Sequence, residues 1–179
     1  MPALLIAGLL GGAYFFWPSD YDRLMQEALT KKNENPTVTV FDGFPEPPMP
    51  DRTENEKTIL GIDSDKNGIR DDVDIWINRT GKNYNERMAL RQMARAKQFR
   101  LAICSMKDSS NSNFACQKEA DSIVCLDALT KLSWYEKDRQ LWEITMNNNS
   151  RKDCLKFYIN NGCSSHTNFD KKSNACEQK

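Results

Sequence analysis

The chain has 179 residues, 39% of them hydrophobic and 28% charged, and its 25 basic and 25 acidic side chains cancel to a formal net charge of zero. That length suits one domain with appendages rather than two full domains. With charge balanced overall, nothing global points to nucleic acid as a partner.

Residues 3–17, ALLIAGLLGGAYFFW, carry no charge and stop abruptly at Pro18, Ser19 and Asp20, the pattern of a membrane-directed segment. The run is shorter than the roughly 20 residues of a full span and nearer to a signal-peptide core, with Gly11 and Ala13 as small residues for cleavage. A basic leader is missing, however, and the cluster Tyr14, Phe15, Phe16 and Trp17 suits a membrane–water interface. Residues 1–18 therefore read as an uncleaved anchor that leaves the rest facing the periplasm or the cell exterior; secretion after signal cleavage is the alternative.

Residues 19–33 predict a short helix, with Tyr21, Leu24, Met25, Ala28 and Leu29 at helical spacing. From 34 to 56 the chain turns proline-rich. TVTVF at 37–41 alternates like a short strand, and FPEPPMP, with Pro45, Pro47, Pro48 and Pro50, favours polyproline II geometry. This stretch reads as an extended, semi-rigid linker between membrane and domain, or as a docking strip for a protein partner.

The folded domain is expected over residues 57–179, and its class is mainly α. Helices are predicted at 71–79, with Val73, Trp76 and Ile77 on one face, and at 83–106, burying Met88 or Ala89, Met93, Ala96, Phe99, Ile103 and Met106. Others follow at about 114–132, 134–147 and 151–160, with Tyr135, Leu141, Trp142 and Met146 assigned to the core.

Six cysteines, Cys104, Cys116, Cys125, Cys154, Cys163 and Cys176, fall in the C-terminal part. An even, clustered set reads as a disulfide framework in an oxidising compartment. Six allow 15 connectivities; a helix hairpin closed at 107–113 makes Cys104 with Cys116 the first guess, and Cys125 with Cys154 and Cys163 with Cys176 complete it. A zinc set from Cys154, Cys163, His166 and Cys176 is the competing use, but the close CxxC pairs that pre-position thiolates are lacking. His166, the single histidine, sits beside no nucleophile motif and reads as an exposed loop residue. Asn78 and Asn148 begin N-x-[ST] sequons, relevant only in a glycosylating host.

The main chemistry lies in GIDSDKNGIRDDVD. Calcium requires six to eight oxygens at once, and a carboxylate at every second position lets a loop curl around it. Asp63, Asp65 and Asn67 take positions 1, 3 and 5 of such a loop, Gly68 permits the turn at position 6, Ile69 offers its carbonyl at position 7, and Asp71 and Asp74 fill positions 9 and 12. Asp72 reads as electrostatic support for the first turn of the next helix. DSDKNGIRDDVD resembles the calcium loops of thrombospondin type 3 repeats and dockerin modules, EF-hand-like loops that often lack the entering helix and use Asp at position 12. The resemblance covers residues 61–77 and implies Asp63, Asp65, Asn67, the Ile69 carbonyl, Asp71 and Asp74 as ligands of one Ca²⁺.

Arg87, Arg91 and Arg95 recur every fourth residue. They are either solvated or paired with neighbouring carboxylates, or form a face for an acidic partner. The leading expectation is thus a membrane-tethered, extracytoplasmic calcium-binding interaction or scaffold protein, such as an accessory subunit of an envelope assembly. An exported carboxylate-dependent hydrolase, or an accessory to one, is the alternative; no motif gives positive evidence for an enzyme.

Overall fold

The computed structural model describes residues 19–34, 37, 39–107, 110–130, 133–161 and 176; the apolar segment, Cys163 and His166 lie outside them. Among the described residues no helix is long and apolar enough to cross a membrane.

The architecture is mainly α. The elements are α1 (Asp20–Glu34), β1 (Val40–Phe41), β2 (Phe44–Pro45), α2 (Arg52–Glu56), α3 (Asp71–Thr80), α4 (Tyr84–Met106), α5 (Ser112–Thr130), α6 (Trp134–Thr145) and α7 (Asn149–Asn161). α4 is the central element: it starts where the Asn83 side chain accepts the Glu86 amide at 3.0 Å, and it ends at Lys107 in the left-handed region. Helices α3, α5, α6 and α7 pack around it, while α1 lies on α3 and α6. Val73, Trp76 and Ile77 are fully buried against Leu90, Met93, Leu141 and Ile144, as an apolar stripe on α3 requires. Met106 and Tyr135, expected inside, are instead 64% and 65% exposed. Each sits in a terminal turn of its helix, beyond the reach of the neighbours that bury the middle.

The described residues from 19 to 56 are part of this unit rather than a spacer. Tyr21, Leu24, Met25 and Ala28 of α1 belong to the main core. The supposed linker folds back as a two-stranded hairpin with Val40 opposite Pro45 and Phe41 opposite Phe44. Its turn is Asp42-Gly43, both at positive φ, 57° and 87°, as a tight primed turn demands. The prolines here lie at a strand edge or outside the strands, where a missing N–H does no harm.

Asp42 fastens the hairpin to α4. Arg87 grips its carboxylate with two bonds, at 2.7 and 2.5 Å, and Arg91 adds a third at 2.8 Å. Glu46 makes a second anchor, paired with Arg79 at 2.7 Å and Lys32 at 3.0 Å. The Arg87 hydrogen bond, followed by that of Arg91, holds the Asp42 carboxyl below its ordinary range. A depressed folded pKa stabilises above the unfolded value and is lost as pH falls through the folded one, so the Asp42 anchor should weaken only below the ordinary carboxylate range. At neutral pH Asp42→Ala, which takes the carboxylate partner from part-buried Arg87 and one of the two from buried Arg91, should cost about 3 kcal/mol in a urea melt.

The disulfides pair differently from the sequence guess. Cys104 bonds Cys154, joining α4 to α7 with Cα atoms 5.6 Å apart, and Cys125 bonds Cys176 at 4.9 Å. Ile103 and Cys104 point about 100° apart around α4. Ile103 therefore meets Ala115 and Cys116 of α5, while Cys104 meets Leu101, Met146 and Cys154. Cys116 is oxidised as well.

Candidate metal centre

The loop between α2 and α3 is curled by two left-handed residues, Lys66 at φ 57° and Gly68 at φ 83°. This turns successive amides inward. Asp63 accepts from Asn67 N at 3.1 Å and Gly68 N at 2.9 Å, and Asp65 accepts from Asn67 N at 3.2 Å and from its Nδ2 at 3.0 Å. Asp71, the first residue of α3, accepts from Ser64 N at 2.9 Å and donates its own amide to the Ile62 carbonyl at 2.8 Å. Asp63, Asp65 and Asp71 each bring a carboxylate oxygen within 4.8 Å of the others.

Three negative groups at that spacing repel, on the order of 3 kcal/mol per fully charged pair at an effective dielectric of 20. The strain shows at Asp71. Its side chain is buried, and Oδ2 has no hydrogen-bond partner. Burial pushes the Asp71 carboxyl upward against the pull of the Ser64 donors, with Asp65 and Asp72 adding to the rise. Burial likewise raises Asp63, with Asp65 contributing. A buried carboxylate oxygen without a donor, beside two more carboxylates, matches the needs of a hard cation that takes oxygen ligands.

The other predicted ligands are placed differently. Ile69 buries its side chain, and its amide donates to Asn67 Oδ1 at 2.8 Å. The Asn67 Nδ2 donates to Asp74 at 3.1 Å, and Asp74 also accepts from Arg91 Nε at 3.1 Å. Arg91 thus supplies positive charge to position 12, while its remaining donors reach Asp42 and Asn78. Arg87 and Arg91 are therefore engaged within the chain, and Arg95 lays its stem along Gly68.

The loop is braced to the core by residues the pattern of ligands does not reveal. Arg70, at loop position 8, is fully buried and pairs with Asp72 through Nε at 2.5 Å and Nη2 at 3.1 Å. Its other donors cap the last carbonyls of α6, Ile144 at 2.7 Å and Thr145 at 3.1 Å. Asp72 also accepts from the Tyr21 hydroxyl at 2.9 Å and Asn55 Nδ2 at 3.1 Å, which joins α1, α2 and α3 at one carboxylate. Burial, then the Asp72 charge, pushes the Tyr21 hydroxyl upward.

Arg151 of α7 completes the brace, donating to the Asn55, Thr58 and Ile59 carbonyls at 2.6, 3.2 and 2.9 Å. Burial, aided by the nearby Arg70 charge, draws its guanidinium down to about 10. Gly61 threads between these groups. It has φ 73°, and a Cβ there would strike Arg70, Asn55 Oδ1 and Arg151 Nη2. Asp42-Gly43, following the alternation in TVTVF, was the local signal for the hairpin. An arginine at the centre of an acidic loop was the signal for the Arg70 brace.

No protein-family model matches the chain, and no curated protein or solved structure is significantly similar to it.

Proposed function

We propose that the loop holds one Ca²⁺, and that the chain is a calcium-stabilised, extracytoplasmic interaction or scaffold protein tethered to a membrane through residues 1–18. The observation that carries this reading is the buried, partnerless Oδ2 of Asp71 within a cluster of three carboxylates. An ion there would replace mutual repulsion by shared attraction and would satisfy that oxygen. The resemblance of DSDKNGIRDDVD to thrombospondin type 3 and dockerin loops supports the same metal. Oxidised cysteines support a compartment outside the cytoplasm.

Asp63, Asp65, Asp71 and the Ile69 carbonyl would form the first contacts, and recruiting Asp74 requires the ion to compete with Arg91. Because the loop is tied to α1, α2, α6 and α7, the ion would stiffen the whole face from which the N-terminal segment departs. A single site of this kind belongs in the range of about 10⁻⁴ to 10⁻³ M, which suits extracellular calcium.

Titration calorimetry of the full chain with Ca²⁺ should give one-site heats that vanish in the Asp63→Ala, Asp65→Ala double variant. Equal heats from the two proteins would defeat the reading. At a hundredfold excess over Kd the ion should add about 2.7 kcal/mol of stability.

The raised carboxyls set the pH dependence. A raised folded pKa means that the ion-free loop is disfavoured at neutral pH and relieved as the groups protonate, whereas calcium requires them ionised. Calcium stabilisation should therefore fade, on acidification, at a higher pH than the ordinary carboxylate value of about 4 would give.

A further inference from the structure

The guanidinium of Arg91 stands where the acidic loop and the hairpin meet. Asp74 and Asn78 lie one turn apart on α3, and α4 lays Arg91 against that face. Its Nε donates to Asp74 Oδ1 at 3.1 Å and its Nη2 to Asn78 Oδ1, while Nη1 leaves α3 for Asp42 Oδ2 of the hairpin turn at 2.8 Å. Arg91 thus divides one charge between two carboxylates on different elements, and all three side chains are buried. With water kept away, neither carboxylate can replace a lost share of that cation by solvation.

Asp74 is the position-12 carboxylate, and both of its oxygens are taken, Oδ1 by Arg91 and Oδ2 by the Asn67 side-chain amide at 3.1 Å. One oxygen each from Asp63, Asp65, Asp71 and the Ile69 carbonyl falls short of the roughly six to eight that calcium takes, and position 12 is where such a loop adds more. An ion that draws in Asp74 must displace Arg91 Nε, which leaves that guanidinium to Asp42. Conversely, an Arg91 deprived of Asp42 concentrates on Asp74 and holds it harder.

We propose, resting on the calcium reading above, that Arg91 couples hairpin docking to the ion: the docked hairpin draws Arg91 away from Asp74 and so raises the affinity of the loop for Ca²⁺. The ion in turn tightens the hairpin, because coupling between two equilibria is reciprocal. Lifting the hairpin off α4 would thereby loosen the ion. Two substitutions that both weaken the hairpin anchor, at Asp42 and at Arg91, then move calcium affinity in opposite directions, which a loss of stability alone does not do.

Calcium titrations of the full chain in lipid nanodiscs, followed through the Gly68 amide resonance, test the coupling; that N–H donates to Asp63 at 2.9 Å and senses the ion. Asp42→Asn should weaken Ca²⁺ binding at least fivefold, and Arg91→Gln should strengthen it at least threefold. In the Arg91→Gln background Asp42→Asn should change affinity less than twofold, which separates the shared guanidinium from any effect through Arg87. Glu46→Gln, which loosens the hairpin at Arg79 and Lys32 without touching Arg91, should leave affinity within twofold of the parent. Saturating Ca²⁺ should slow exchange of the Glu46 amide, bonded to the Thr39 carbonyl at 2.7 Å across the hairpin, at least threefold in the parent and not in Arg91→Gln. A Gly68 amide unmoved by 20 mM Ca²⁺ in the parent would overturn the calcium reading and the coupling with it. Binding in the parent that Asp42→Asn and Glu46→Gln leave alike would overturn the coupling alone, and that comparison stands even where Arg91→Gln does not fold.

Discussion

Arg70→Met should cost the protein about 4 kcal/mol, because it leaves Asp72 as an uncompensated charge in a fully buried place. The same substitution strips the last α6 carbonyls, those of Ile144 and Thr145, of their donors. Tyr21 and Asn55 would still donate to Asp72, but hydrogen bonds from neutral groups do not replace a counter-ion. A urea melt reads the effect as a drop in midpoint at unchanged slope. The double variant Arg70→Met, Asp72→Leu should recover much of the loss, since removing both charges removes the desolvation penalty with them. A single variant that melts within about 1 kcal/mol of the parent would mean that the brace does not hold the loop.

Opening the Cys104–Cys154 bridge should have an effect of similar size. The bonded residues are 50 apart in sequence, and in the chain-entropy model closing such a loop contributes about 4 kcal/mol. The consequence reaches the loop as well. Arg151, three residues before Cys154, holds the Asn55, Thr58 and Ile59 carbonyls that lead into it. Cys104→Ala with Cys154→Ala should therefore lower the urea midpoint and speed amide exchange at residues 55–61. A midpoint equal to that of the parent would show that the α4–α7 contact is sufficient without the bond.

What the sequence disclosed, and what it hid, follows from the range of the forces involved. Helix spacing is a local property, so α1 and α3–α7 were legible from apolar periodicity to within a few residues of their ends. The alternation of acidic residues from Asp63 is equally local, and three of those carboxylates do converge. The hairpin was missed because proline density suggested an open chain, although Asp42-Gly43 carried the turn signal. Its docking depends on Arg87 and Arg91, some 45 residues away, and nothing short-range announces such a pairing.

The same distance hid the disulfide partners. Cys104 and Cys116 stand close in sequence, but the 100° step from Ile103 to Cys104 on α4 points Cys104 at α7 instead. Arginine spacing on α4 described a face without saying whether solvent or carboxylates would meet it. Arg91 shows the outcome: it is 5% exposed and bound to Asp42 and Asp74.

Everything proposed about calcium rests on Asp71 and its two carboxylate neighbours sharing one ion. Crystals of the protein grown in 5 mM CaCl₂ and measured at a long wavelength would decide it through the anomalous signal of calcium. A bound ion would give one strong peak at about 2.3 to 2.6 Å from oxygens of Asp63, Asp65 and Asp71, with Oδ2 of Asp71 among them. Featureless density between the three carboxylates, with that oxygen still facing no partner, would contradict it.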